Sequence, residues 1–71
     1  MRIGLVGAGA FGEKHLDGLK NIEGVEVTSL VGHHIEPTQA VAAQYGIGHA
    51  TTDLAETLAR DDVDAVILCT P

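Results

Sequence analysis

Apolar positions follow two rhythms along this chain, and the alternation between them predicts the order of elements. Residues 2–6 (Arg-Ile-Gly-Leu-Val) form a short apolar run that stops at a glycine cluster, as a buried strand would. Phe11, His15, Leu16, Leu19 and Ile22 then fall on one face at spacings near 3.6, which predicts a helix ended by Asn21 to Gly24. Residues 25–31 (Val-Glu-Val-Thr-Ser-Leu-Val) are rich in β-branched side chains and read as a second strand. Pro37 suits the first turn of a second helix, where its missing N–H costs nothing, and Gly46 can supply a left-handed cap after Tyr45. A brief third strand is expected near 47–51. Asp53 with Glu56 three residues later has capping-box spacing and opens a third helix running to about Arg60. Ala65-Val-Ile-Leu-Cys69 is an uninterrupted apolar run, the pattern of a strand covered on both faces.

The resulting order is β-α-β-α-β-α-β. Right-handed crossovers turn that order into an α/β fold, a Rossmann-type parallel sheet with helices on both faces. The most hydrophobic strand finishes at Cys69, two residues before Pro71, with no helix after it to cover its face. Residues 1–71 are therefore expected to be the amino-terminal part of a larger domain, its second half and any substrate domain lying elsewhere. Alone, a chain of 71 residues has little core to spare and would be marginal.

Composition narrows the function. Hydrophobic residues make up 45% and charged residues 20%, the balance of a globular chain rather than a disordered one. No apolar run approaches the roughly 20 residues of a membrane span, and the amino terminus lacks the basic start of a signal peptide. Ten acids against four bases give a net charge of −6, with no basic cluster and only Phe11 and Tyr45 to stack on bases, which argues against nucleic acid. The single cysteine, Cys69, excludes an internal disulfide. Among the histidines (His15, His33, His34 and His49) no pair has i,i+4 helical spacing and no carboxylate completes a ligand set, so no metal site is expected.

The chemistry lies in the glycines. Four of the nine fall in residues 4–12, and Gly7-Ala-Gly9-Ala-Phe-Gly12 matches G-x-G-x-x-G between a predicted strand and a predicted helix. Gly7 permits the tight turn, Gly9 lets the backbone approach a pyrophosphate, and Gly12 lets the helix pack close to the sheet. The helix N-terminus then offers free N–H groups and partial positive charge to the phosphates. No Gly-Lys-Ser/Thr follows, which rejects a nucleoside-triphosphate loop. The usual companion of this loop, an acid at the end of the second strand that holds the ribose 2′-hydroxyl, is missing. Gly32-His33-His34 stands there, and the first acid is Glu36. Without that carboxylate a 2′-phosphate meets no repulsion, and two imidazoles can donate to it, so NADP is expected to be tolerated or preferred over NAD. The plainer alternative leaves both histidines as solvated loop residues. Cys69 reads first as a small core residue, since nothing nearby lowers its pKa, yet strand ends line the ligand crevice and Cys69-Thr70-Pro71 can pass near the cofactor.

The string Gly7-x-Gly9-x-x-Gly12-x-x-His15, with Val63-Asp-Ala-Val-Ile-Leu-Cys-Thr-Pro71 at the other end, resembles the Gfo/Idh/MocA family of NAD(P)-dependent oxidoreductases. The resemblance implies that Gly7, Gly9, Ala10, Phe11 and Gly12 form the pyrophosphate loop and that Cys69, Thr70 and Pro71 lie under the nicotinamide ribose. His33 and His34 stand where similar NADP-using members carry Ser or Arg. It further implies a cytoplasmic, homo-oligomeric enzyme passing hydride between nicotinamide and a carbinol or hemiacetal carbon, with no catalytic residue inside 1–71. The rival reading is a non-catalytic nucleotide-binding module whose sheet is completed by a partner chain. A flavin or S-adenosylmethionine site ranks below both, because each usually wants the acid that the second strand lacks.

Overall fold

The structure, a computed structural model, describes residues 1–7 and 10–68, and for residues 10–13 it describes the backbone path alone. The elements run β1 (Arg2–Val6), α1 (Ala10–Leu19), β2 (Glu26–Val31), α2 (Ile35–Tyr45), β3 (His49–Thr51), α3 (Leu54–Leu58) and β4 (Ala65–Leu68). All pairings are parallel and the strand order is β3-β2-β1-β4, the Rossmann-type arrangement expected from the alternation. Among the described residues no helix is long and apolar enough to cross a membrane.

The two faces of the sheet differ. Under α1 and α2, Leu5, Leu16, Leu30, Ala42 and Ile47 form a buried apolar cluster, with Val27, Val41, Tyr45, Ala50 and Ile67 packed around it. Fully burying a leucine of this kind contributes about 1.5–3 kcal/mol. The α3 face is polar inside. The Ser29 Oγ, fully buried, lies 2.8 Å from the Thr57 Oγ1, also buried, and 2.8 Å from the His49 Nδ1. Gly4 sits beneath this chain, where a Cβ would fall 2.6 Å from the Thr57 Cγ2, so β1 has room for no side chain there. Between Ile3 and Gly4 the β1–β2 register shifts, Ile3 facing Val27 and Gly4 facing Ser29. Thr28 is the extra residue of this bulge, and its hydroxyl donates to the Asp62 carbonyl at 2.7 Å.

Local chemistry explains the element ends, and it corrects four expectations. Gly46 takes φ +70 after α2, and the Ile47 N–H reaches back to the Ala42 carbonyl at 2.8 Å, a left-handed cap that buries Ile47 instead of starting a strand. The third strand accordingly spans only His49–Thr51. Helix α1 stops at Leu19, so Ile22 falls in the following turn and is half exposed, and His15 is exposed too. Only Leu16 and Leu19 of the expected face are described as packing on the core. Helix α3 ends at Leu58, two residues short of Arg60. Finally, β4 is not buried on both faces: Ala65, Val66 and Ile67 are partly buried and Leu68 is 66% exposed, because β4 ends the row of described strands.

Candidate functional site

Parallel strands bring their carboxyl ends to one edge, and the strand order reverses between β1 and β4, where open sheets of this kind bind ligands. The Gly7 N–H donates to the Val31 carbonyl at 2.7 Å, and the Gly32 N–H donates to the Thr51 carbonyl at 3.0 Å. These two bonds extend the ladder one residue past each strand and hold three strand ends level. Gly7 has φ +116, a region closed to most side chains, and so turns the chain sharply from β1 toward α1. Helix α1 begins at Ala10, which places Ala10, Phe11 and Gly12 in its first turn. The expected site residues Gly9, Cys69, Thr70 and Pro71 lie outside the described residues.

A cleft of about 190 Å³ opens at this edge, walled by Val6 and Gly7 from β1, Val31 to His33 from β2, and Thr52 and Leu54 beyond β3. A second, more open cleft continues from it along the start of α2, lined by His33, His34, Ile35, Glu36, Pro37 and Thr52. His33 and Thr52 belong to both. The structure thus brings Gly7 and His33 to one cavity and sets His34 in the adjoining one. A cavity of about 240 Å³ between the carboxyl ends of α1 and α2 lies away from this edge and touches neither the glycine turn nor the histidines.

His34 is the N-cap of α2, extended at φ −128 and ψ 130. Its carbonyl accepts from the Thr38 N–H at 3.2 Å and the Thr38 hydroxyl at 2.7 Å, while its side chain makes no capping bond. Both imidazoles are exposed at the mouth of the clefts. Pro37 brings no N–H to the first turn of α2, whose Ile35 and Glu36 amides point out of the helix start.

Thr52 and Leu54 were not singled out by the sequence; their signal is topological, since any residue after β3 reaches the ligand edge once β3 lies beside β2. A hydroxyl relay fixes them. The Asp53 N–H donates to the Thr51 Oγ1 at 3.0 Å, and the Thr51 hydroxyl donates to the Glu56 Oε2 at 2.9 Å. Asp53 caps α3 as expected, its Oδ1 accepting from the Ala55 N–H at 2.9 Å. The reciprocal half of the expected capping box is absent, because the buried Thr51 hydroxyl stands between Glu56 and the Asp53 N–H.

Among the described residues the arginines and lysines are kept away from the clefts, which Glu36 alone of the permanently charged side chains lines. Arg2 pairs with Asp64 at 3.2 Å, Lys20 with Asp17 at 3.5 Å and Arg60 with Asp62 at 2.8 Å. Lys14 lines a groove on α1 with His15, Gly18, Leu19 and Ile22. Hydrogen bonds from the guanidinium groups of Arg2 and Arg60 hold the carboxyls of Asp64 and Asp62, respectively, below the usual carboxylate range. Among the described residues no group of three or more His, Cys, Asp or Glu side chains is placed to hold a metal.

Residues 1–71 match the model of the Gfo/Idh/MocA oxidoreductase family, described as an NAD-binding Rossmann fold. The chain is 69% identical over 71 residues to the 4-carboxy-2-hydroxymuconate-6-semialdehyde dehydrogenase of Sphingobium sp., a match covering all of this chain and 22% of that protein. It superposes on GenD2 from gentamicin A biosynthesis, solved in complex with NAD, with a TM-score of 0.91 and 30% identity, covering 100% of this chain and 20% of the other. A variant of a 3-ketoreductase from Actinomadura kijaniata, solved with TDP-benzene and NADP, gives a TM-score of 0.88 at 26% identity, covering 100% and 23%. The chain therefore spans about one fifth of the length of the proteins it matches.

Proposed function

The chain belongs to the Gfo/Idh/MocA family of oxidoreductases, and from that premise we propose that it is the amino-terminal part of the dinucleotide-binding domain of an NADP-dependent dehydrogenase. The observation that carries this reading is the cleft at the carboxyl ends of β1 and β2, which has Gly7 at φ +116 on one wall and His33 on another. The residues present fit a dinucleotide: Gly7, without a side chain, turns the chain from β1 toward the start of α1, and no carboxylate stands at the end of β2. Gly7, Gly9, Ala10, Phe11 and Gly12 would hold the pyrophosphate, His33 and His34 the 2′ group of the adenosine ribose, and Cys69, Thr70 and Pro71 would pass under the nicotinamide ribose.

When bound, the nicotinamide ring supplies the hydride acceptor or donor. This chain's own part is to bind, orient and set the choice between NADP and NAD. The substrate we assign is 4-carboxy-2-hydroxymuconate-6-semialdehyde, as its cyclic hemiacetal, in aromatic (protocatechuate) catabolism. The 69% identity to the Sphingobium dehydrogenase supports it. Proton transfer and substrate choice would fall to residues outside 1–71, in a cytoplasmic, homo-oligomeric protein.

A carboxylate placed at His33 tests the cofactor assignment. His33→Asp restores the acid that favours a ribose 2′-hydroxyl and repels a 2′-phosphate. The ratio of NADH to NADPH affinity should rise about tenfold, as titration of cofactor fluorescence on the full-length protein would read. An unchanged ratio would place the 2′ group elsewhere and overturn the assignment.

A further inference from the structure

Proteins that bind NADP through a Rossmann domain commonly meet the 2′-phosphate with an arginine, whose charge is permanent. Among the described residues the corresponding corner has no permanent cation. Arg2, Lys20 and Arg60 are each engaged by an aspartate, and Lys14 lines a different groove. The side chains at the mouth of the clefts that can become positive are His33 and His34, both exposed and free of capping duty. We propose that the preference for NADP over NAD at this site is gated by protons: His33 and His34 grip the 2′-phosphate when charged and release their hold when neutral. The inference rests on the dinucleotide reading above.

The surroundings set the sign. From α2, Glu36 lines the same open cleft as both histidines and contributes negative charge. Asp53 from the β3–α3 connection and Glu56 from α3 bring carboxylates that already accept from the Ala55 N–H and the Thr51 hydroxyl, respectively. The first charged residues of α1 are Glu13 and Lys14, beyond the glycine loop. With both imidazoles neutral the corner is net negative and opposes a phosphate dianion. With both protonated, the local repulsion is offset. Imidazoles gain their proton between pH 8 and 5, and a phosphate monoester stays largely dianionic down to about pH 6.

NADH serves as the internal reference because it differs from NADPH only in lacking the 2′-phosphate. Dissociation constants for both are measured by fluorescence on the full-length protein between pH 8.5 and 6.5. The ratio should move in favour of NADPH by about tenfold as pH falls, well under the limit of tenfold per pH unit for each proton taken up on binding. In the double variant His33→Gln/His34→Gln the ratio should stay flat and low; in His33→Arg/His34→Arg it should stay flat and high. A flat ratio in the unaltered protein, with both cofactors bound, overturns the gating and leaves the cofactor site standing. Retention of the slope in the Gln variant also overturns it. Failure of the unaltered protein to bind either cofactor overturns the underlying reading as well.

Discussion

At the amino ends of β1, β2 and β4 the chain ties itself together with charge, while at the carboxyl ends of β1 and β2 it presents glycines and exposed imidazoles. At the first edge the terminal ammonium donates to the Gly24 carbonyl, and the Glu26 N–H meets the Met1 carbonyl at 2.9 Å. Arg2 holds Asp64 through its backbone N–H and its guanidinium, and Arg60 clasps Asp62 with two bonds. At the second edge the chain forms clefts walled by Gly7, His33, His34 and Thr52, and among the described residues no arginine or lysine lines them. One edge spends its polar groups on itself and the other leaves them available. The difference separates what keeps the sheet together from what a ligand would use, and it implies that each can be damaged without the other.

The largest effect should come from Gly9→Val. By its place in the motif, a Cβ at residue 9 would stand where the backbone approaches the pyrophosphate. NADPH affinity should fall by more than about 100-fold, roughly 2.7 kcal/mol, while the thermal midpoint stays where it was. Calorimetric titration beside a thermal melt checks both halves, and an affinity kept within a few-fold would remove the loop from the site.

Gly4→Ala should do the reverse. The new methyl would meet the Thr57 Cγ2 at 2.6 Å and the Val63 Cγ1 at 3.3 Å in a packed layer, so stability should drop by about 1–3 kcal/mol with cofactor affinity unchanged in the folded fraction. Thr57→Ser deletes the clashing methyl and keeps the hydroxyl that bonds Ser29. In the Gly4→Ala background it should restore part of the loss, which a double-mutant cycle of unfolding free energies measures directly. Additive effects would mean that the strain lies elsewhere.

How much of this could be read from the chain depends on which face is considered. Leu5, Leu16 and Leu30 announce their face because an apolar side chain in a periodic run has only one comfortable place to go. Ser29 and Thr57 do not, since hydroxyl groups read as solvent-facing and become core only when they satisfy one another, here with the half-buried His49 imidazole beside them. The bulge at Thr28 breaks the two-residue alternation, so no count along β2 could have put Val27 and Leu30 on the same cluster. Ile22 keeps helical spacing with Leu19 after the helix itself has ended, which is why periodicity alone overextended the buried face. An all-apolar strand such as β4 carries no alternation, and its half exposure follows from its place in the row. At the clefts, the turn at Gly7 and the place of His33 and His34 just after β2 were legible from local spacing. Thr52 and Leu54 needed the sheet order, which spacing does not supply.

The smallest effect should come from the ionic edge. The carboxyls of Asp64 and Asp62 lie below their ordinary range because Arg2 and Arg60 donate to their charged forms. A carboxylate whose pKa is depressed by folding adds stability that is complete above about pH 4–5 and is lost as pH falls through the depressed value. The Arg2–Asp64 pair is exposed and the Arg60–Asp62 pair only half-buried, so the contribution is modest and shrinks with salt. Arg2→Ala/Arg60→Ala should therefore melt slightly below the unaltered protein at neutral pH. The gap should narrow toward pH 2–3 and in about 1 M salt, while NADPH affinity at the opposite edge stays the same. A gap that persists in acid would assign the arginines a packing role through their aliphatic stems rather than a charge role. A change in NADPH affinity would couple the two edges that the structure keeps apart.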